Sequence, residues 1–312
     1  MASHFIPAAD QVDRLQRTTD ADSLFFQKFA NQGHTRDVGV RGLGRQGTYA
    51  ITPSGRLLAS VNSPDPQPVV EMMEEALRKW STLSKADRLL AEPLDANAAA
   101  QWRHWDKKFP RDGLILWVVC RDLPRDNLPD QWRFAWGMDH AWFRKAEARQ
   151  FLPDQLQVGQ RCTVPRNLVE RLARFHLVDS VRGRESLPYP AAAVETAELA
   201  TEVIEIQGNI VRVRFAGATR TLHKTDLFED NPAAQTRGYD ARLRGQATYD
   251  MARERFSAFE LVAIGPRRGA TACNMRIQDN DVGPAAMGVA LTLAEESPLH
   301  QIPPAFLSQY GW

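Results

Sequence analysis

The chain predicts an α+β fold. Three stretches carry that expectation. Residues 47–82 alternate apolar and polar positions across a Pro53-Ser54-Gly55 turn and then switch to a helical repeat. Residues 114–119, LILWVV, form an unbroken apolar run of strand length. From residue 199 onward the pattern settles into period two, with Gly-, Asn- and Asp-containing turns between the runs.

Taken in order, residues 9–32 read as helix, with Asp20 or Asp22 at its start, Leu24, Phe25, Phe29 and Ala30 as its apolar face and Gly33 as its stop. Residues 33–47 hold five glycines with Arg36, Arg41 and Arg45. Glycines let backbone N–H groups turn toward a ligand, and guanidinium forks match carboxylate and phosphate, so His34, Arg36, Arg41 and Arg45 are read as a candidate anion-binding set. His34 and Asp37 are its proton-transfer groups. The loop matches neither the Walker nor the dinucleotide glycine pattern, and it precedes a strand where those precede a helix.

Tyr49 and Ile51, then Leu57 to Val61, place apolar residues for a hairpin. Asp65 is suited to cap the next helix and Pro66 to begin it, and Val69, Met72, Met73, Ala76, Leu77 and Trp80 follow at helical spacing. A further helix is expected over 97–109. LILWVV reads as a strand buried on both faces, at the centre of a sheet that the first hairpin extends. Phe134, Trp136 and Met138 suggest another strand, with Asp139 capping a short helix through Trp142, Phe143 and Ala146. Seven of the eight tryptophans lie between 80 and 142.

The unit YAITPSGRLLAS plus the capped helix resembles the β-β-α second half of the thioredoxin-like fold. That resemblance implies an N-terminal thioredoxin-like domain without disulfide chemistry: no Cys-x-x-Cys occurs, and Arg45-Gln46-Gly47 stands where thioredoxins carry a cis-proline.

The segment 151–165 reads as the boundary between a 1–155 domain and a helix-led, mainly antiparallel 156–312 domain of sandwich or small-barrel type. Thr163 and Pro165 open a helix with Leu168, Val169, Leu172 and Phe175 inward, and HLVDSV leaves it as a short strand. Gln207-Gly208-Asn209 joins TEVIEI to IVRVRF, with Val211, Val213 and Phe215 on one face and Arg212 and Arg214 on the other. Strands are expected at 218–223, 239–249, 256–264 and 286–293, with Arg267 and Arg268 in an exposed turn and a proline-containing tail packing across the body or on a partner.

Thirty-nine basic against 38 acidic residues leave a net charge of +1, which argues against a nucleic-acid partner. No apolar run reaches the ~18 residues of a membrane span, and the start MASHFIPAADQ lacks a secretory pattern, so a cytoplasmic protein without membrane partner is expected. Cys120, Cys162 and Cys273 are widely spaced and odd in number, so no disulfide framework is read. Cys162, ahead of a helix start, is the candidate reactive thiol, with His176 or His140 as partner. His104/Asp106, Asp139/His140 and His176/Asp179 are considered as pairs, but no local spacing writes a metal site, and no metal or cofactor is assigned. The leading expectation is a non-catalytic binding or scaffold protein with a protein partner or a small anionic ligand. The alternative is an enzyme acting at the 33–47 loop and the inter-domain groove.

Overall fold

The computed structural model describes residues 4–8, 12, 15, 21–34, 45–63, 65–89, 107–126, 128–183, 188–224, 236–271, 273–296 and 300–312. The expected 97–109 helix falls largely outside them. The chain forms two compact units, Met1–Lys108 and Phe109–Trp312. The division therefore lies well before the 155/156 boundary read from the sequence.

In the first unit, helix α1 (Ala21–Ala30) precedes strands β1 (Thr48–Ile51) and β2 (Leu57–Val61), then α2 (Pro66–Thr82) and the single turn α3 (Lys85–Arg88). Asp65 caps α2 by accepting a hydrogen bond from the Gln67 N–H at 3.0 Å, and Pro66 takes the first helical position, where its missing N–H is no loss. Met72 and Ala76 of α2 pack on Ala50, Leu58 and Ala59. The other side of the hairpin, with Tyr49, Ile51 and Leu57, packs on α1 through Phe26, Phe29 and Ala30. Phe29 and Ala30 are buried as expected, but Leu24 and Phe25 are exposed, because Ser23 and Phe26 occupy the inward positions of the first turns of α1. A register shift at Ala50/Ile51 lets this short ribbon serve both layers.

The second unit is one antiparallel sheet of eight strands in the order β4-β3-β10-β9-β8-β7-β6-β5. Its strands are β3 (Leu114–Asp122), β4 (Trp136–Phe143), β5 (Arg161–Thr163), β6 (Val194–Gln207), β7 (Ile210–Lys224), β8 (Thr236–Asp250), β9 (Arg255–Arg268) and β10 (Ala285–Leu293). The first hairpin is a separate two-stranded sheet, so β3 does not extend it. The expected sandwich is a single sheet with helix packing on one face. Helices α4 (Lys145–Arg149) and α5 (Arg166–Phe175) complete the unit.

Alternation decides the inner face. Val211, Val213, Phe215, Leu243, Leu261, Val289 and Leu291 are fully buried there with Leu168, Val169 and Leu172 of α5 and with Phe151, in one core cluster. Gly208, at φ +57°, makes the tight β6–β7 turn that places those residues in register. β3 alternates too: Leu114, Leu116, Val118 and Cys120 point inward, while Ile115, Trp117 and Val119 are only half-buried on the outer face. The apolar run thus reflects an apolar outer surface and not burial on both sides. β4 continues to Phe143, so Asp139 lies in a strand and caps nothing; α4 starts after Arg144. The expected 218–223 strand is the second half of β7. No strand forms at 176–181. Arg267 lies within β9 and is fully buried, not in an exposed turn.

Candidate functional site

Of the residues expected to bind an anion, Arg36 and Arg41 lie outside the described residues. His34 and Arg45 have local roles. The His34 N–H donates to Ser60 Oγ at 2.9 Å, its Nε2 lies 3.0 Å from the Gln46 carbonyl, and its ring stacks on Tyr49 with centroids 4.9 Å apart. Gly47 sits beside the ring, where a Cβ would come within 2.5 Å of it. Arg45 donates from Nε to Asn31 Oδ1 at 2.8 Å, and its carbonyl accepts from the Tyr49 hydroxyl. These contacts fasten the end of α1 to the start of β1.

Cys162 lies on edge strand β5, opposite Thr201. Burial pushes its thiol pKa up, against the helix-dipole activation expected from sequence, because the residue sits on the strand and not in the first turn of α5. Cys120 is buried and its thiol is raised to about 12, chiefly by desolvation.

The second unit gathers two polar constellations that sequence reading did not assemble. The first centres on Arg276, whose side chain is fully buried. Its Nη1 and Nη2 donate to Asp122 Oδ2 and Oδ1 at 2.7 and 2.9 Å, its Nε and Nη2 donate to Asp179 at 2.8 and 3.0 Å, and Nη1 also reaches Asp281 at 2.8 Å. Arg182 bonds Asp279 at 2.7 Å and Asp281 at 2.6 Å, while Arg125 also donates to Asp281. Arg267 Nη2 lies 2.6 Å from Asp281, and its Nη1 donates to the Asp281 carbonyl at 2.7 Å. Four arginines thus face Asp122, Asp179, Asp279 and Asp281. Burial favours neutral Asp281, but the hydrogen bond from Arg125 and the charges of Arg267 and Arg276 outweigh it and hold the carboxyl well below the usual range. Met275 (φ 60°) and Asn280 (φ 55°) adopt left-handed backbone on either side of the 3-10 turn Arg276–Asp279, which delivers Arg276 inward.

The second constellation joins Asp139, His176 and Tyr310. His176 Nδ1 lies 3.2 Å from Asp139 Oδ2, and its Nε2 hydrogen-bonds the Tyr310 hydroxyl. Asp139 Oδ1 accepts from the Ala305 N–H at 3.0 Å, and nearby His140 Nε2 lies 3.0 Å from His300 Nδ1. Arg171 on α5, bonded to Glu147, stacks over the rings of Tyr310 and Trp312 at 4.7 and 5.3 Å. The residues considered as neighbours in sequence are therefore repartnered: Asp139 with His176, Asp179 with Arg276, and His140 with His300. His104 and Asp106 lie outside the described residues. The cavity beside the triad, lined by Cys120, Gly137, Asp139, His176 and Phe306, holds about 20 Å³. That is room for roughly one water.

The open surface of this unit lies on the outer face of β4, β3, β10 and β9. Register makes two rows across it, Trp136–Arg121–Gly288–Ile264 and Met138–Val119–Ala290–Val262, which end on Arg242 and Arg244 of β8. Trp136, Met138, Val262 and Ile264 keep 54, 47, 38 and 47% of their surface exposed. Exposed apolar side chains grouped on one outer sheet face are a feature of interaction sites. The sequence signal was present in Phe134-x-Trp136-x-Met138 and LVAI, but it reads equally well as core. Among the described residues, no group of His, Cys, Asp and Glu side chains is arranged to hold a metal ion, and no helix is long and apolar enough to cross a membrane.

Comparison with known proteins gives no family model, no curated protein and no solved structure that matches this chain.

Proposed function

We propose that the protein is a non-catalytic binding protein whose recognition surface is the outer face of β4, β3, β10 and β9. The observation that carries this reading is two exposed apolar pairs on one sheet face, Trp136 with Met138 on β4 and Val262 with Ile264 on β9, joined across β3 and β10 by the half-buried Val119 and Ala290 of one register row. The groups suited to chemistry support the same reading. His176 hydrogen-bonds both Asp139 and Tyr310 beside a cavity of about 20 Å³, and Arg276 spends its guanidinium on Asp122, Asp179 and Asp281. In this reading the hairpin with α1 and α2 on its two sides is a degenerate thioredoxin-like module that acts as scaffold, with no redox role.

The test compares the native mass of the protein isolated from its producing cells with its denatured mass. A retained polypeptide, or a second copy, lost when Ile264→Asp is introduced is the expected result. A small-molecule excess lost on denaturation and insensitive to Ile264→Asp would overturn the reading in favour of a ligand site elsewhere.

A further inference from the structure

The cations of the large sheet fall into two groups. On its β6–β7 half, outward arginines meet glutamates: Arg212 with Glu205 at 2.8 Å, Arg214 with Glu202 at 2.8 Å and Arg220 with Glu195 at 2.9 Å. On the other half, Arg121, Arg242, Arg244 and Arg268 are exposed and have no carboxylate within 4.0 Å among the described residues. Arg121 sits between Trp136 and Gly288 in one row; Arg242 and Arg244 stand opposite Ile264 and Val262. Arg268 follows the same outward alternation two positions beyond Pro266. The exposed apolar side chains and the unpaired cations therefore share one face, about four strand spacings or ~19 Å wide.

We infer that this face takes an acidic segment of another protein, with apolar side chains over Trp136, Met138, Val262 and Ile264 and carboxylates at Arg121, Arg242, Arg244 and Arg268. The inference rests on the recognition surface proposed above and names its partner class. Two carboxylates, Asp240 and Glu260, border the same face on β8 and β9. A continuously anionic lipid sheet or a polyphosphate would meet them as like charges, whereas a polypeptide sets its charges residue by residue and can leave those points neutral. Trp136 at the β4 edge is the one aromatic ring in the two rows, and the remaining apolar positions, Val119, Val262 and Ile264, are aliphatic, so successive bases would find no second ring to stack on.

The probe is a short fluorescent peptide that alternates Leu or Phe with Asp or Glu, titrated into the full chain. Its controls are the same peptide with Lys at the acidic positions, vesicles of mixed phosphatidylserine and phosphatidylcholine, and an oligouridylate. Binding of the acidic peptide alone is expected, weakened about tenfold by Arg242→Glu with Arg244→Glu and again by added salt. Val262→Thr with Ile264→Thr, a milder change of an exposed face, is expected to weaken it with the thermal midpoint kept. Acidic-peptide binding indifferent to both double variants overturns the inference, as does preference of this face for vesicles or oligouridylate. If the peptide fails but sedimentation shows a dimer dissolved by Ile264→Asp, the surface stands and the acidic-partner assignment falls. If no probe binds and no dimer forms, the recognition surface falls with it.

Discussion

Arg276 and Asp122, 154 residues apart, form a two-pronged pair at 2.7 and 2.9 Å in a site from which both side chains exclude water. The pair ties the end of β3 to the 3-10 turn that precedes β10, and Asp179 grips the same guanidinium from the segment after α5. Burial opposes the charge on Arg276, yet Asp179 and Asp122 more than compensate, so it stays protonated at any working pH. Removing Asp122 leaves Arg276 with Asp179 and Asp281, but it takes away two of its hydrogen bonds and leaves four buried or half-buried arginines facing three carboxylates. Asp122→Ala is therefore expected to lower the unfolding free energy by about 3–5 kcal/mol. Arg276→Lys is expected to destabilise as well, because one ammonium cannot serve two carboxylates at fork geometry. Urea unfolding checks both, and an unchanged midpoint for Asp122→Ala would show that the hub does not hold the loop.

Asp281 sets the acid limit of the same hub. Its folded carboxyl lies below the ordinary 3.8, so the unfolded chain takes up the proton first as pH falls. The stability it contributes is complete above that ordinary value and is lost as pH descends through the depressed folded one. Asp281→Asn should destabilise at neutral pH and also flatten the fall in thermal midpoint below pH ~4. A parallel fall in parent and variant would assign acid unfolding to other carboxylates.

Tyr310 fixes the chain's last residues through His176. Burial raises its phenol well above the ordinary value, so it remains a neutral hydroxyl facing the His176 ring. Tyr310→Phe keeps the stacking on Phe175 but leaves the His176 Nε2 without its partner. The expected cost is about 1–3 kcal/mol. Limited proteolysis should then cut the 300–312 segment faster than in the parent. Equal cutting rates would mean that Phe306, Trp312 and the Ala305–Asp139 hydrogen bond hold the tail without the hydroxyl.

How much of this was legible depends on sequence distance. The hairpin at Pro53-Ser54-Gly55, the start of α2 at Asp65-Pro66 and the Gly208-Asn209 turn are set by neighbours within a few residues, and each appears where the pattern places it. The membership of β3 in the C-terminal sheet depends on pairing with β10, over 160 residues downstream, and β4 joins through β3; no local rule reports either. The apolar outer residues Val119, Met138 and Val262 misled the reading for a physical reason: a strand apolar on both sides looks like a central buried strand whether its second face meets protein or solvent. The hub could have been suspected from Asp122/Arg125, Asp179/Arg182 and Arg276/Asp279, each an opposite-charge pair three residues apart. What spacing withheld is that all three segments converge.

The cap of α2 gives a contained test of the first unit. Asp65 Oδ1 accepts from the Gln67 N–H at 3.0 Å on an exposed turn, so Asp65→Ala removes one hydrogen bond and one favourable dipole contact without touching the core. A loss of about 1 kcal/mol is expected, with Asp65→Asn close to the parent. Hydrogen exchange of the α2 amides reads it directly: faster exchange confined to this unit supports the cap, and faster exchange throughout Phe109–Trp312 would contradict the two-unit division.

His140 carries the pH dependence of the tail near neutrality. Burial, then the neighbouring His300, lowers its pKa to about 4, with Asp139 opposing and His176 adding a small further depression. The folded protein thus holds this imidazole neutral where the unfolded chain, at its ordinary 6.5, already takes the proton. The stability that follows is full above pH 6.5 and decreases as pH falls toward 4, so acidification through that window should lower the thermal midpoint. His140→Gln should remove most of that slope while offering His300 an amide in place of the imidazole. Carbon-labelled histidine spectra provide the site-specific check, with the His140 midpoint expected near 4 and not near 6.5. A midpoint at the ordinary value would mean that the 300–312 segment opens readily enough to admit water to the ring, and the faster proteolysis predicted for Tyr310→Phe would then already be present in the parent.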